Sequence, residues 1–103
     1  MPVSSPPTPY TVFVDTTGAN AQIPNNIADY ILNPAAPVAA ITLNLPANPG
    51  NGFTQAISTT QTITTLTVTA TQTVQDAFAA QLLAGDEIRY RYNLSLNSWF
   101  RQH

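Results

Sequence analysis

The chain has 103 residues and a net charge of -2, with no cysteine and no lysine, and its single histidine is the last residue. Charged residues make up 8% of it, against about 25% in ordinary soluble domains. Thr, Asn, Gln and Ser fill the difference, so the chain reads as one domain whose polar, nearly uncharged surface is cheap to desolvate against neighbours.

Arg89, Arg91 and Arg101 are the only Lys or Arg residues, too few for a nucleic-acid partner whose phosphates need several cations. Without cysteine there is no disulfide or thiolate site. No apolar run approaches the ~18 residues of a membrane span, so no membrane partner is expected. MPVSSPPTPY has neither a basic start nor an apolar core, and the reading expects no signal peptide there.

All nine prolines lie at or before Pro49. Proline fixes φ and lacks the N–H donor, so residues 1–9 (MPVSSPPTP) are expected as an extended, polyproline-like arm. Tyr10 to Asp15 (YTVFVD) is β-branched and aromatic, a strand candidate. TTGANAQIPNN reads as a loop, and Ala28 to Leu32 (ADYIL) as a second extended piece ending at Asn33-Pro34. In AITLNL, Ile41, Leu43 and Leu45 share one face. PANPGNG offers Pro49-Gly50 for a type II turn and Asn51-Gly52 for a type I′ turn. In TTLTVTA, Leu66, Val68 and Ala70 oppose Thr65, Thr67 and Thr69. VQDAFAAQLLAG, residues 74–85, favours a helix by composition, with Thr73 as N-cap and Gly85 as stop, or else an irregular crossover. In EIRYRY, Ile88, Tyr90 and Tyr92 oppose Glu87, Arg89 and Arg91, and NLSLN is sized for a hairpin loop into SWF. Alternation of this kind predicts a sheet with one buried and one polar face.

Little here suits catalysis or metal binding. His103 stands alone at the chain end. Asp86 and Glu87 are neighbours on opposite strand faces, so they make no acid–base pair. Asp15, Asp29 and Asp76 are scattered singly, without calcium-loop spacing, and no zinc pattern or phosphate-binding glycine loop is present. The Arg-Tyr alternation at 89–92 puts rings and cations on opposite faces, so they cannot share a single-stranded ligand. Trp99, beside Phe100 and after the Asn93–Asn97 loop, fits core packing, or alternatively stacking on a sugar. Asn93-Leu94-Ser95 is a formal glycosylation sequon. No enzyme activity, cofactor, metal or small-molecule substrate is expected.

The order of these features resembles a β-module of tailed-bacteriophage structural proteins, found in capsid decoration, collar and tail-fibre components. The resemblance spans about residues 28–102. It rests on Tyr30-Ile31-Leu32, Leu45-Pro46, Asn48-Pro49, Ile57-Ser58, Ile63 through Val68, Leu83-Ala84-Gly85, Tyr90 with Tyr92, and Trp99-Phe100-Arg101. Asn51-Gly52 departs from the more usual Asp-Gly, and AFAAQLL is more helical than the expected Gly-rich link. The resemblance implies a non-enzymatic virion protein made in the host bacterial cytoplasm. It would bind the outer shell as a homotrimer, with the major capsid protein as partner, and stabilise it. The alternatives are a collar, tail or head-fibre module, or a glycan-binding host-recognition module.

The expected fold is all-β: a small antiparallel β-sandwich or jelly-roll-like domain over residues 21–103, preceded by a Pro-rich arm and first strand over 1–20. Capsid or protomer contacts are expected at Pro2, Val3, Pro6, Pro7, Pro9, Tyr10, Val12, Phe13, Thr65, Thr67 and Thr69. Surface recognition, if present, falls to Asn93, Asn97 and Trp99. The expected core is Ile41, Leu43, Leu66, Val68, Ile88, Tyr90 and Tyr92.

Overall fold

The computed structural model describes residues 11–102. Ten strands run along them: β1 (Val12–Asp15), β2 (Ala21–Gln22), β3 (Asp29–Leu32), β4 (Val38–Asn44), β5 (Thr54–Thr59), β6 (Ile63–Thr69), β7 (Thr73–Gln75), β8 (Ala79–Leu82), β9 (Glu87–Asn93) and β10 (Ser98–Gln102). They form a six-stranded sheet in the order β1-β3-β5-β9-β10-β7 and a four-stranded sheet in the order β2-β4-β6-β8. From β1 to β6 the chain alternates between the sheets, and each pass lies parallel to the previous pass in its own sheet. The result is a solenoid-like stack. Antiparallel strands complete it, with β9 on β5, β10 on β9 and β8 on β6.

The all-β expectation holds, but the antiparallel jelly roll does not: β1–β3, β3–β5, β2–β4, β4–β6 and β7–β10 are all parallel. Period-two alternation assigns faces, not partners, which is why it left this open. In-register stacking places like beside like. Ile41 lies beside Leu66, and Leu43 lies between Ala21 and Val68. On the outer side Thr69 Oγ1 bonds Asn44 Oδ1, and Gln22 Nε2 donates to the carbonyls of Asn44 (3.3 Å) and Leu45 (2.7 Å).

One core joins the two inner faces and contains every residue expected in it. Strand β9 alternates as read, with Ile88, Tyr90 and Tyr92 buried and Glu87, Arg89 and Arg91 exposed.

No helix forms over residues 74–85. Asp76 takes a positive φ of 57°, which separates β7 from β8. The segment's backbone finds partners in its surroundings instead: Phe78 N–H donates to the Tyr90 hydroxyl (2.7 Å) and its carbonyl accepts from Val68 N–H (3.0 Å). A helix this short has marginal stability of its own, so these bonds and the burial of Phe78 and Leu82 prevail.

The Asn51-Gly52 turn also differs from expectation. Phe53 N–H donates to the Gly50 carbonyl (3.0 Å), and of the two central residues only Gly52 has positive φ (83°). That is the type II signature rather than type I′. The flanking strands β4 and β5 belong to different sheets, so no hairpin twist selects a primed turn. Gly85 has φ 87° with open space around it. Gly85→Ala therefore costs backbone strain alone, roughly 1–2 kcal/mol by chemical denaturation.

At one end of the large sheet the Tyr30 hydroxyl donates to Asp15 Oδ2. Asp15 Oδ1 accepts from the Thr17 N–H (2.8 Å) and hydroxyl (2.7 Å). Burial alone would raise the carboxyl's pKa, but these hydrogen bonds outweigh it and hold Asp15 below its ordinary value of 3.8. Burial, then the hydrogen bond to Asp15 and lastly its charge, push the Tyr30 phenol above its ordinary 10.0. A depressed carboxylate contributes stability above its unfolded value and loses it as pH falls through the folded value. Stability should therefore decline below about pH 4. Asp15→Asn should lower stability at pH 7 by ~1–3 kcal/mol and flatten that acid limb. An unchanged acid limb in the variant's urea midpoints would contradict this.

Candidate interaction surfaces

Strand β1 is an outer strand of the six-stranded sheet, with β3 as its described neighbour. Val12, Phe13 and Val14 are 47%, 41% and 49% exposed. Three consecutive half-exposed apolar residues on an edge strand are a template for pairing with another chain. Phe13 is in the inward phase and stacks on Tyr30, with ring centroids 5.4 Å apart. It lies over the end of the core, so one flank of the stack is left uncovered by described residues. The Thr11 carbonyl accepts from Ala28 and Asp29 N–H, and the Asp15 carbonyl accepts from Asn33 N–H. By strand alternation Val12 and Val14 direct their backbone groups away from β3, toward no other described strand.

Of the expected contact residues, Val12 and Phe13 thus lie on an exposed edge. Pro2, Val3, Pro6, Pro7, Pro9 and Tyr10 fall outside the described residues. Val14, the last residue of the 2–14 stretch expected to anchor the chain, continues the same exposed apolar run. The sequence boundary at residue 20 falls in the link between β1 and β2, and β1 itself is hydrogen-bonded into the main sheet.

Thr65, Thr67 and Thr69 lie on β6, within the four-stranded sheet, so they share no sheet with β1. Thr65 is exposed, beside the register shift between Ile63 and Leu66. Thr67 and Thr69 are half-buried, and Thr69 is already bonded to Asn44.

Trp99 shares no surface patch with Asn93 and Asn97. Trp99 is 0% exposed. It packs against Tyr92 (centroids 5.3 Å apart) and edge-on to Phe53 (6.5 Å), and its Nε1–H donates to Gln72 Oε1 (3.1 Å). Both asparagines serve the β9–β10 loop. Asn93 Oδ1 accepts from Leu96 N–H (3.1 Å) and the Ser95 hydroxyl (3.2 Å). Asn97, at φ 50°, accepts the Tyr92 hydroxyl at Oδ1 (2.7 Å). Stacking of a sugar on Trp99 is ruled out by its burial. The loop instead exposes Leu94 and Leu96.

Asp86 Oδ2 accepts from Leu83 N–H (3.2 Å) in the turn before β9, while Glu87 pairs with Arg89 (3.2 Å) on the outer face. The two carboxylates have separate local roles. Among the described residues no cluster of His, Cys, Asp and Glu is placed to hold a metal ion, and no helix is long and apolar enough to cross a membrane.

No family model and no curated protein matches the chain. A solved structure described as a chaperone–substrate complex does match its fold. The TM-score is 0.54 at 21% identity, over 85% of this chain and 14% of the other. This chain therefore spans about one seventh of that protein's length, and the likeness is one of fold.

Proposed function

We propose that the chain is a non-enzymatic structural module of a tailed-phage virion. In this reading it is a decoration or cement protein that binds the outer capsid shell as a homotrimer and stabilises it. The observation that carries the reading is the β1 edge: apolar, half-exposed, and directly continuous with the Pro-rich residues 1–10. The four-stranded sheet, whose strands carry no charged residue, supports it, since an uncharged face packs against protein with little desolvation penalty.

Magnitudes favour the trimer. Covering the exposed halves of Val12, Phe13 and Val14 contributes only ~2–4 kcal/mol. A contact of that size alone corresponds to millimolar affinity or weaker. Three edges engaging together multiply apparent affinity by roughly 10²–10⁴ without any new kind of contact.

The test is co-sedimentation with purified shells. Deleting residues 1–9 should leave the domain folded and remove shell binding, and retained binding would sink the reading. The same edge suits a second placement, in a collar, tail or head fibre, where copy number per particle is low.

A further inference from the structure

We infer that the outer face of the β9–β10 hairpin is a binding site for an acidic saccharide, independently of where the chain sits on a particle. A cleft of about 390 Å³ opens there between the Asn51-Gly52 turn and the two strands. That volume lies toward the low end for small-ligand sites. Its side chains are Asn51, Arg91, Asn93, Phe100 and Gln102, with no carboxylate among the lining residues.

The register explains why they converge. Arg91 pairs with Phe100 across the hairpin and with Thr54 on its other side, which brings in the turn before β5. Asn93 follows Arg91 by two residues on the same face, and Gln102 lies diagonally beside it, opposite Arg89.

The amides have a set orientation. Asn51 Oδ1 accepts from Leu94 N–H (2.9 Å), and Asn93 Oδ1 is occupied by Leu96 N–H and the Ser95 hydroxyl. Backbone donors thereby identify the oxygens and leave both NH₂ groups without an acceptor among the described residues. Arg91 is exposed and makes no ion pair with another described residue, unlike Arg89, which holds Glu87. The cleft therefore presents two amide donors, an uncommitted guanidinium, and the half-exposed Phe100 ring. A guanidinium suits a carboxylate through paired N–H donors, the amides suit ring and hydroxyl oxygens, and the phenyl face suits the apolar C–H face of a sugar. A sugar bearing a carboxylate, such as a uronate or sialate, satisfies all three at once. A simple inorganic anion leaves Phe100 unused.

The test is ¹⁵N NMR of the full chain titrated with digalacturonate and with N-acetylneuraminate, each against its methyl ester and against inorganic phosphate. Saturable shifts are expected at Asn51, Gly52 and Asn93, at both asparagine side-chain amides and at Arg91 Nε–H. Esterification and Arg91→Ala should each weaken binding about tenfold or more, the scale of one lost charge-assisted hydrogen bond. Arg89→Ala should leave affinity nearly unchanged. The inference is overturned if neither acid gives saturable shifts, if the shifts map elsewhere, if the esters bind as well as the acids, if Arg91→Ala has no effect, or if phosphate binds as tightly as the sugars.

Discussion

Replacing Trp99 by alanine should destabilise the domain by about 3–5 kcal/mol, the usual cost of emptying a fully buried aromatic site. Trp99 is 0% exposed, contacts Tyr92 and Phe53, and satisfies its only polar atom through Gln72. Truncation removes the apolar burial, leaves a void in the core beside Tyr92 and Phe53 and strands the Gln72 side-chain oxygen. For a domain of this size the melting temperature should fall by more than ~10 °C. The clean readout is the urea midpoint at unchanged slope. Phe100, one residue on and in the opposite phase, is half-exposed, and its truncation should cost far less. A loss below ~1 kcal/mol for Trp99→Ala would contradict the assignment of Trp99 to the core.

If β1 attaches the module to a shell as proposed, Val12→Pro should abolish that binding while the domain stays folded. Proline deletes a backbone donor and is tolerated in sheets where that donor faces outward from an edge. Val12 opens β1, and its N–H is directed away from β3, so the internal ladder keeps its bonds. Any strand that adds to β1 from outside loses one of its main-chain bonds and meets the proline ring. Phe13→Pro is the matched control. Its N–H is in the phase that faces β3, so that variant should lose fold stability as well. If Val12→Pro sediments with shells like the parent chain, edge pairing is not the mode of attachment.

The faces of this fold were legible residue by residue, because alternation in AITLNL, TTLTVTA and EIRYRY reports burial directly. The partners were not. Whether Leu43 lies beside Val68 in a parallel stack or across an antiparallel hairpin leaves the same alternation in the sequence. A signal was present in the internal similarity of Ile41-Thr42-Leu43 to Leu66-Thr67-Val68, the very pairs that the parallel register joins. Such repetition is the mark of stacked coils. The helical composition of 74–85 was misleading for a different reason: local propensity is worth only tenths of a kcal/mol per residue and yields to pairing and burial. At the candidate sites, Val12 and Phe13 followed from their apolar run beside prolines. The cleft did not, because Asn51, Arg91 and Phe100 converge only through the order β5-β9-β10.

The most direct test of the virion reading is the number of copies of this protein in purified particles, measured by quantitative mass spectrometry against the major shell protein. The decoration reading predicts on the order of one copy per shell subunit, as a symmetric trimer reused over a closed lattice requires. A handful of copies per particle would contradict it and move the module to the collar, tail or fibre.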